Sequence, residues 1–371
     1  MVDTGRVKET SYDPSSGIVK LLETWASRAA CKQRRGRAGR VRAGSCWKLY
    51  TRNAENNKMA ERPEPELKRV PLEQTCLAVK AMEDDVCGFL AGALTPPDTM
   101  AVEGAMKLLE HMGAIADDDL TALGRHLVLI PADLRCSKLM VYGAIFGCLD
   151  VAVTIASILT TRSPFMNTPA TRDASKLART SFAHGQGDLL ADYHAHQEWL
   201  RLRQITSVRD VKRWCEENHL SHHTLLDISS NRAQYISSLK ETGFLPLSSS
   251  SSSSSDFVRL NQNHENAVLH RALIAAAFNP QIARIALPEQ RFAGSASGAL
   301  AVDPEARTIK YYTHSSGRAF VHPSSTLFNA TGFTGDARFL SYFSKVESNK
   351  VYLRDVTRIP PSIISYITML T

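Results

Sequence analysis

The sequence predicts a multidomain chain that is α/β at its start, helical through its middle and β at its end. Three observations carry this prediction. Strand-like runs bracket a helix-like basic stretch before residue 68; apolar residues then recur at helical spacing from Val70 towards Glu241; beyond Asp256 a helix gives way to short alternating segments broken by Gly, Pro and Asn. With 371 residues at 43% hydrophobic content, the chain has room for roughly two to four packed units, because domains usually hold about 100 to 150 residues.

The first unit opens with a short strand-like run, continues into a helix-like stretch through Arg28–Gly39 and closes on Gly44 and a strand Cys46–Tyr50. A sheet that begins at residue 2 leaves its edges unsatisfied, so the chain is expected to enter partway through a domain. Pro71 suits a first helical position, and Leu72, Cys76 and Val79 follow at i, i+4 and i+7. A second helix, Thr99–Met112, ends at Gly113, and the acidic turn Asp117-Asp118-Asp119 precedes Leu120. Two helices and a tight hairpin predict a winged helix. Stripes at Leu139, Tyr142, Gly143 and Phe146, then at Val151, Ile155, Ile158 and Leu159, predict a helical bundle that continues through helices near 187–203, 208–220 and 224–241 to Gly243. Trp199 and Trp214 fall in these amphipathic helices and are read as core. The run Ser248–Ser255 cannot bury apolar area and is expected to be an exposed insertion. After a helix at Ala267–Ala276, strands are expected at Thr308–Thr313, Arg318–Val321, Phe339–Lys345 and Lys350–Asp355, enough for an OB-fold-like barrel. The expected units are 1–68, 69–133, 134–246, the Ser-rich insertion 247–256, and 257–371.

Several function classes are excluded or made improbable by composition. No run of about eighteen apolar residues exists to cross a membrane, and Met1-Val2-Asp3-Thr4-Gly5-Arg6 lacks the profile of a secretion signal. The seven cysteines are scattered without a Cys-x-x-Cys pair, as expected of thiols in a reducing compartment. Intracellular placement, cytoplasmic or nuclear, and a monomeric state are the expectation. Cys215, His219, His222 and His223 have ligand-like spacing, but a helical core position is preferred and no metal is assigned. His322-Pro323-Ser324-Ser325 has no acid placed to orient the histidine, so it is read as a structural turn rather than a catalytic pair.

Charge locates the chemistry. Residues 1–69 hold 16 Lys and Arg against 8 Asp and Glu, a net +8 that exceeds the +7 of the whole chain and leaves the remainder close to neutral. Seven basic residues and no acid lie between Arg28 and Arg42, as where phosphates are held. Within that stretch, Gln33-Arg34-Arg35-Gly36-Arg37-Ala38-Gly39-Arg40 places Arg37 and Arg40 three apart. On a helix both guanidiniums then project from one face and can converge on one polyanion, with Gln33 a turn earlier able to orient a water or a phosphate oxygen. From the residues alone, a solvated basic face, a nuclear-localisation patch and an arginine-glycine RNA-binding segment remain open.

The octet Gln33–Arg40 resembles motif VI of the DEAH/RHA-type (DExH-box) RNA helicases, and Val2–Glu9 looks like the strand just past motif V. The resemblance continues through Arg69-Val70-Pro71-Leu72, Leu120-Thr121-Ala122-Leu123-Gly124, Trp214-Cys215-Glu216-Glu217-Asn218 and Val321-His322-Pro323-Ser324-Ser325, in the order of that family's winged-helix, ratchet-like (HA2) and OB-fold segments. It implies a partial second RecA-like lobe at 1–68. It also implies that Arg37 and Arg40 contact the γ-phosphate of ATP, that Arg40 is the arginine finger, and that Gln33 positions the attacking water or the γ-phosphate. Neither Gly-x-x-x-x-Gly-Lys-Ser/Thr nor Asp-Glu-x-His occurs in the sequence. The resemblance therefore implies that the P-loop, and the carboxylate that holds Mg²⁺, belong to a first lobe upstream of Met1.

RNA is the partner that the resemblance implies. Ser11–Ser27 corresponds to the family's RNA-proximal hairpin, with a turn signal at Pro14-Ser15-Ser16-Gly17; Arg6 and Lys8 are further RNA candidates on the opening strand. In the barrel, Lys310 and Tyr312 share a face with Thr308, and Lys350, Tyr352 and Arg354 share another, suited to stacking plus phosphate contact, with an ordinary solvated face as the alternative. Protein activators are expected on the OB-fold or winged-helix region. Two functions follow: the C-terminal half of an ATP-dependent 3′-to-5′ RNA helicase, inert without its first lobe, or a non-catalytic fragment that binds RNA or docks partners.

Overall fold

The computed structural model describes residues 1–13, 18–245, 255–289, 291–295, 298–302, 305–314, 317–331, 337–347, 349–359 and 363. At the start, β1 (Val2–Asp3) leads into a hairpin of β2 (Arg6–Asp13) and β3 (Ile18–Trp25), paired without interruption from Arg6↔Trp25 to Asp13↔Ile18. The hairpin thus opens at Arg6, earlier than the expected Ser11; its Pro14–Gly17 turn lies outside the described residues. Ser27 caps α1 (Arg28–Gly36) by accepting a hydrogen bond from Ala30 N–H at 3.1 Å. The basic helix is shorter than expected. It tightens at Arg37–Gly39 into a 3₁₀ turn, consistent with the poor helix propensity of Gly36 and Gly39. The strand expected at Cys46–Tyr50 is reduced to β4 (Trp47–Lys48), parallel to β1, before α2 (Arg52–Asn57).

The next unit packs α3 (Glu73–Lys80), α4 (Val86–Ala91) and α5 (Thr99–His111) around Leu72, Leu77, Leu109 and Leu127. A wing follows, β5 (Ile115–Ala116) with β6 (Asp119–Leu120), and then α6 (Ala122–Leu129). The wing turns on Asp117 and Asp118, both left-handed at φ 51° and 62°. Aspartate is among the few residues that tolerate this conformation.

The helical unit comprises α7 (Leu134–Ile145), α8 (Leu149–Thr161), α9 (Arg172–Ala183), α10 (Asp188–Ile205), α11 (Val208–Glu217) and α12 (His222–Glu241). The expected stripes face its core: Leu139, Val151 and Ile155 are buried together, while Trp199 fills a second cluster with Val211 and Cys215, against which Trp214 packs. Of the serine run, Ser248–Ser254 lies outside the described residues and Ser255 begins α13 (Ser255–Leu260). The helix expected at Ala267–Ala276 is α14 (Ala267–Phe278).

The C-terminal strands are β7 (Ile282–Ala286), β8 (Arg291–Ser295), β9 (Gly298–Val302), β10 (Lys310–Thr313), β11 (Gly317–Val321), β12 (Phe339–Ser341), β13 (Ser344–Glu347), β14 (Val351–Arg354) and β15 (Thr357–Ile359). Three expectations are corrected. Thr308 lies in a 3₁₀ turn rather than a strand. Phe339–Lys345 is two strands, because the chain turns a corner at Tyr342-Phe343. Lys350 precedes β14 instead of belonging to it. Seven of these strands join β3 and β2 in one nine-stranded sheet, ordered β15-β12-β7-β10-β11-β14-β13-β3-β2. The N-terminal hairpin therefore covers the barrel's β13 edge by parallel pairing, Val346↔Val19 and Glu347↔Lys20, with a Lys20–Glu347 ion pair at 3.0 Å.

Candidate nucleotide and RNA interface

Gln33, Arg37 and Arg40 are all exposed. Arg37 begins the 3₁₀ turn and Arg40 ends it. Three residues per turn eclipse side chains at i and i+3, the spacing that separates Arg37 from Arg40, the residue capping the turn. Among the described residues neither forms an ion pair. Arg34, by contrast, is committed internally: its Nη1 donates to the buried Asp3 Oδ1 at 3.1 Å and to Arg6 O at 3.2 Å. A Cβ at Gly36 or Gly39 would meet nothing within 4 Å in this chain, so internal packing does not require glycine at either position. Among the described residues, neither guanidinium is committed to a partner within the chain.

Of the RNA candidates on the hairpin, Arg6 has its guanidinium 3.7 Å from the centre of the Trp25 ring, and Lys8 is exposed one pleat further on. The barrel candidates come together differently from the expectation. β11, lying between β10 and β14, joins the two supposedly separate faces into one. Tyr312 pairs with Arg318 and with Arg284, and Phe320 pairs with Tyr352. Lys310, Tyr312, Arg318, Phe320, Tyr352 and the nearby Lys350 thus form a single basic and aromatic platform. Two of its rings, Phe320 and Tyr312, are already engaged by the chain's own cations. Arg318 and Lys350 lie 5.0 and 4.5 Å from the Phe320 ring centre, and Arg284 lies 5.6 Å from that of Tyr312. Arg284, Arg318 and Phe320 were not singled out from sequence, although the basic and aromatic alternation of Arg318 and Phe320 was a legible signal.

Arg354 lines a separate cleft, about 910 Å³ in volume, between the helical unit and the barrel. Arg162, Arg172 and Lys176 line it too, facing the His322–Ser325 turn, Asn329 and Phe343. Sequence reasoning missed these three because nothing local marks them; they meet the barrel across more than a hundred residues of chain. Lys176 Nζ donates to Pro323 O at 3.0 Å and lies 4.5 Å from the Phe328 ring centre. Burial, reinforced by Arg172, holds its ammonium below the usual lysine range. His322 Nδ1 accepts from Ser324 Oγ at 2.7 Å and from Ser324 N–H at 3.2 Å. Burial and then the Arg354 and Arg172 charges hold this imidazole below its ordinary value. A neutral ring accepting both bonds shapes a turn, as expected. Within the Cys215/His219/His222/His223 set, Cys215 is core and His222 Nδ1 accepts from Trp199 Nε1–H at 3.1 Å. Among the described residues no helix is long and apolar enough to cross a membrane.

Comparison with known families agrees with this layout. Residues 105–132 match the winged-helix segment of the helicase-associated domain (HA2), 133–203 its ratchet-like segment, and 270–367 an oligonucleotide/oligosaccharide-binding (OB) fold. The chain is 44% identical over 376 residues to a putative DEAH-box ATP-dependent helicase of Mycosarcoma maydis, covering 97% of this chain and 24% of the relative. It is 38% identical to the putative ATP-dependent RNA helicase ucp12 of Schizosaccharomyces pombe, over 97% of this chain and 27% of the relative, and 33% identical to human ATP-dependent RNA helicase DHX29, over 97% and 25%. The chain thus spans about a quarter of the length of these relatives.

Proposed function

From a chain that carries the C-terminal, helicase-associated part of a DExH-box RNA helicase, we propose the C-terminal half of a motor that couples ATP hydrolysis to 3′-to-5′ translocation on RNA and to its unwinding. We divide it into the end of the second RecA-like lobe (1–68), a winged helix (69–133), a ratchet-like bundle (134–246), a Ser-rich insertion (247–256) and an OB-fold domain (257–371). The supporting observation is the contrast within one short segment: Arg34 is bound to Asp3, while Arg37 and Arg40 stand exposed.

In this reading Arg40 is the arginine finger, and Arg37 and Gln33 hold the γ-phosphate and the attacking water. Charge building on the transferring phosphoryl group is offset by the two guanidiniums, which elsewhere is worth about 10³ to 10⁵ in rate. The set contains no carboxylate, so it fits a phosphate and not Mg²⁺, which a first lobe would hold together with the β-phosphate. RNA phosphates lie along Arg162, Arg172, Lys176 and Arg354 in the cleft, with the platform around Phe320 and the hairpin's Arg6 and Lys8 as flanking contacts. The exposed Met82, Phe89 and Leu94 of the winged helix suit a protein activator. The protein acts inside the cell as a monomer.

The test is an ATPase assay with single-stranded RNA. This chain alone is expected to bind RNA with salt-sensitive affinity and to hydrolyse no ATP, whereas the whole protein hydrolyses ATP in response to RNA. Turnover by this chain alone would contradict the two-lobe reading. Turnover absent from the whole protein as well would favour a non-catalytic RNA-binding role.

A further inference from the structure

The same cleft is lined by acids as well, Asp173, Asp188, Asp192 and Asp355, and Asp188 stands at the N-terminus of α10. Asp188 is 2% exposed, and among the described residues its carboxylate accepts its hydrogen bonds from the barrel. Oδ1 takes Ser325 Oγ–H at 3.0 Å, Thr326 N–H at 2.8 Å and Thr326 Oγ1–H at 2.9 Å, and Oδ2 takes Val356 N–H at 3.1 Å. One side chain therefore joins two barrel segments that are far apart in sequence: the turn that follows His322 and the corner between β14 and β15. Its charge sits in the first turn of a helix, where the dipole favours it.

Neighbouring groups converge on the same turn. Arg179 forms two parallel bonds to Asp192, at 2.8 and 2.9 Å, and its Nη1 reaches Ser324 O at 3.4 Å. Burial pulls Arg179 down, but the Asp192 and Asp188 carboxylates outweigh it and hold the guanidinium above its ordinary value. The backbone supplies a separate joint: Asp188 N–H donates to Val356 O at 2.9 Å, and Arg358 N–H to Gln186 O at 2.9 Å. That ladder fixes β15 without the Asp188 side chain. What the carboxylate adds is the His322–Thr326 turn, the barrel wall that faces Arg172 and Lys176.

We infer that Asp188 is a positioning residue for RNA: by pinning the 322–326 turn to α10 it fixes the distance between the two walls of the cleft, and so sets how tightly the cleft grips an RNA backbone. This rests on the proposed passage of RNA through the cleft. Asp188 itself touches no RNA; it accepts only from protein donors, and a carboxylate would repel phosphate.

The experiment uses the full-length helicase and a fluorescent oligouridylate. For Asp188→Asn, the RNA concentration that half-saturates ATPase stimulation is expected to rise about ten-fold, the size set by loss of a charge-assisted hydrogen bond, while kcat at saturating RNA changes by less than about two-fold. A purely structural role would lower kcat through the folded fraction and leave half-saturation unmoved; that result overturns the inference. Should Asp188→Asn fail to fold, Thr326→Val, which removes one donor and leaves the Val356 joint intact, decides alone. It is expected to raise half-saturation about three-fold, and no change overturns the inference. Arg172→Glu with Lys176→Glu serves as the control on the underlying reading. If that pair leaves RNA binding unchanged, RNA does not use the cleft and the proposed path falls. If it weakens binding while the Asp188 and Thr326 variants do not, only the positioning role falls.

Discussion

Arg34 and Asp3 meet at 3.1 Å across 31 residues, and the carboxylate they share the contact through is 2% exposed. Removing Arg34 leaves a buried carboxylate with, among the described residues, Gly5 N–H at 2.9 Å as its remaining hydrogen-bond donor. Arg34→Ala is therefore expected to destabilise this chain by about 1 to 3 kcal/mol in urea unfolding, discounted for the partial exposure of the arginine. Arg37→Ala and Arg40→Ala, at exposed positions, should cost less than about 0.5 kcal/mol. In the full-length protein, on the proposed function, the ranking is expected to invert: Arg40→Ala should lower RNA-stimulated ATPase by about 10³-fold or more while RNA affinity is retained. Unchanged turnover would remove Arg40 from the site.

Gly187 and Gly243 both have positive φ, at 137° and 74°, but differ in their surroundings. A Cβ at Gly187 would lie 2.4 Å from Val356 O, whereas one at Gly243 would meet nothing within 4 Å. Gly243→Ala should therefore cost only the left-handed conformation, about 1 kcal/mol. Gly187→Ala should cost about 3 kcal/mol, because the bundle and the barrel must also separate. Equal losses in thermal unfolding would refute the close approach.

Lys138 is fully buried, donating from Nζ to Met112 O at 2.8 Å at the end of α5. Burial pushes its ammonium down to about 8 from the ordinary 10.5. Between those values the unfolded chain binds more protons than the folded one, so the Lys138 contribution to stability rises with pH from about 8 to 10.5. Below that window both states are charged and the folded state carries the burial cost. The buried thiols of Cys136 and Cys148, pushed up by desolvation, act in the opposite sense as pH rises. The measurement is therefore the difference in urea stability between wild type and Lys138→Met. It should shift in favour of the wild type as pH is raised, and a difference flat in pH would contradict the assignment.

The Phe320 ring is covered by Arg318 and Lys350, which changes what its loss should do. Phe320→Ala is expected to weaken single-stranded RNA binding by this chain less than about three-fold, below the roughly 1 to 3 kcal/mol of an open stacking ring. Arg318→Ala with Lys350→Ala should lower the slope of log affinity against log salt by about 1 to 2. A large loss for Phe320→Ala with an unchanged slope would show bases stacking on the bare ring.

Much of the architecture is legible in the sequence. Helical periodicity marked the bundle stripes at Leu139, Val151 and Ile155, and the Asp117–Asp119 turn announced the wing. Short, poorly periodic strands such as β7 and β15 escaped. Ile282–Ala286 is mostly small and apolar apart from Arg284 and follows a helix of similar composition, with only Asn279-Pro280-Gln281 between them.

For the candidate site the division has a physical cause. The sequence by itself determined the spacing of Gln33, Arg37 and Arg40 and their place on a basic, polar segment, because spacing along a helix is local. Only the tertiary structure decided that Arg34 is consumed by Asp3, that β11 merges two barrel faces into one platform, and that α9 and the 322–326 turn enclose a cleft. Those relationships are contacts across tens to hundreds of residues, set by how whole elements pack, and no local pattern of side chains encodes which distant partner will arrive.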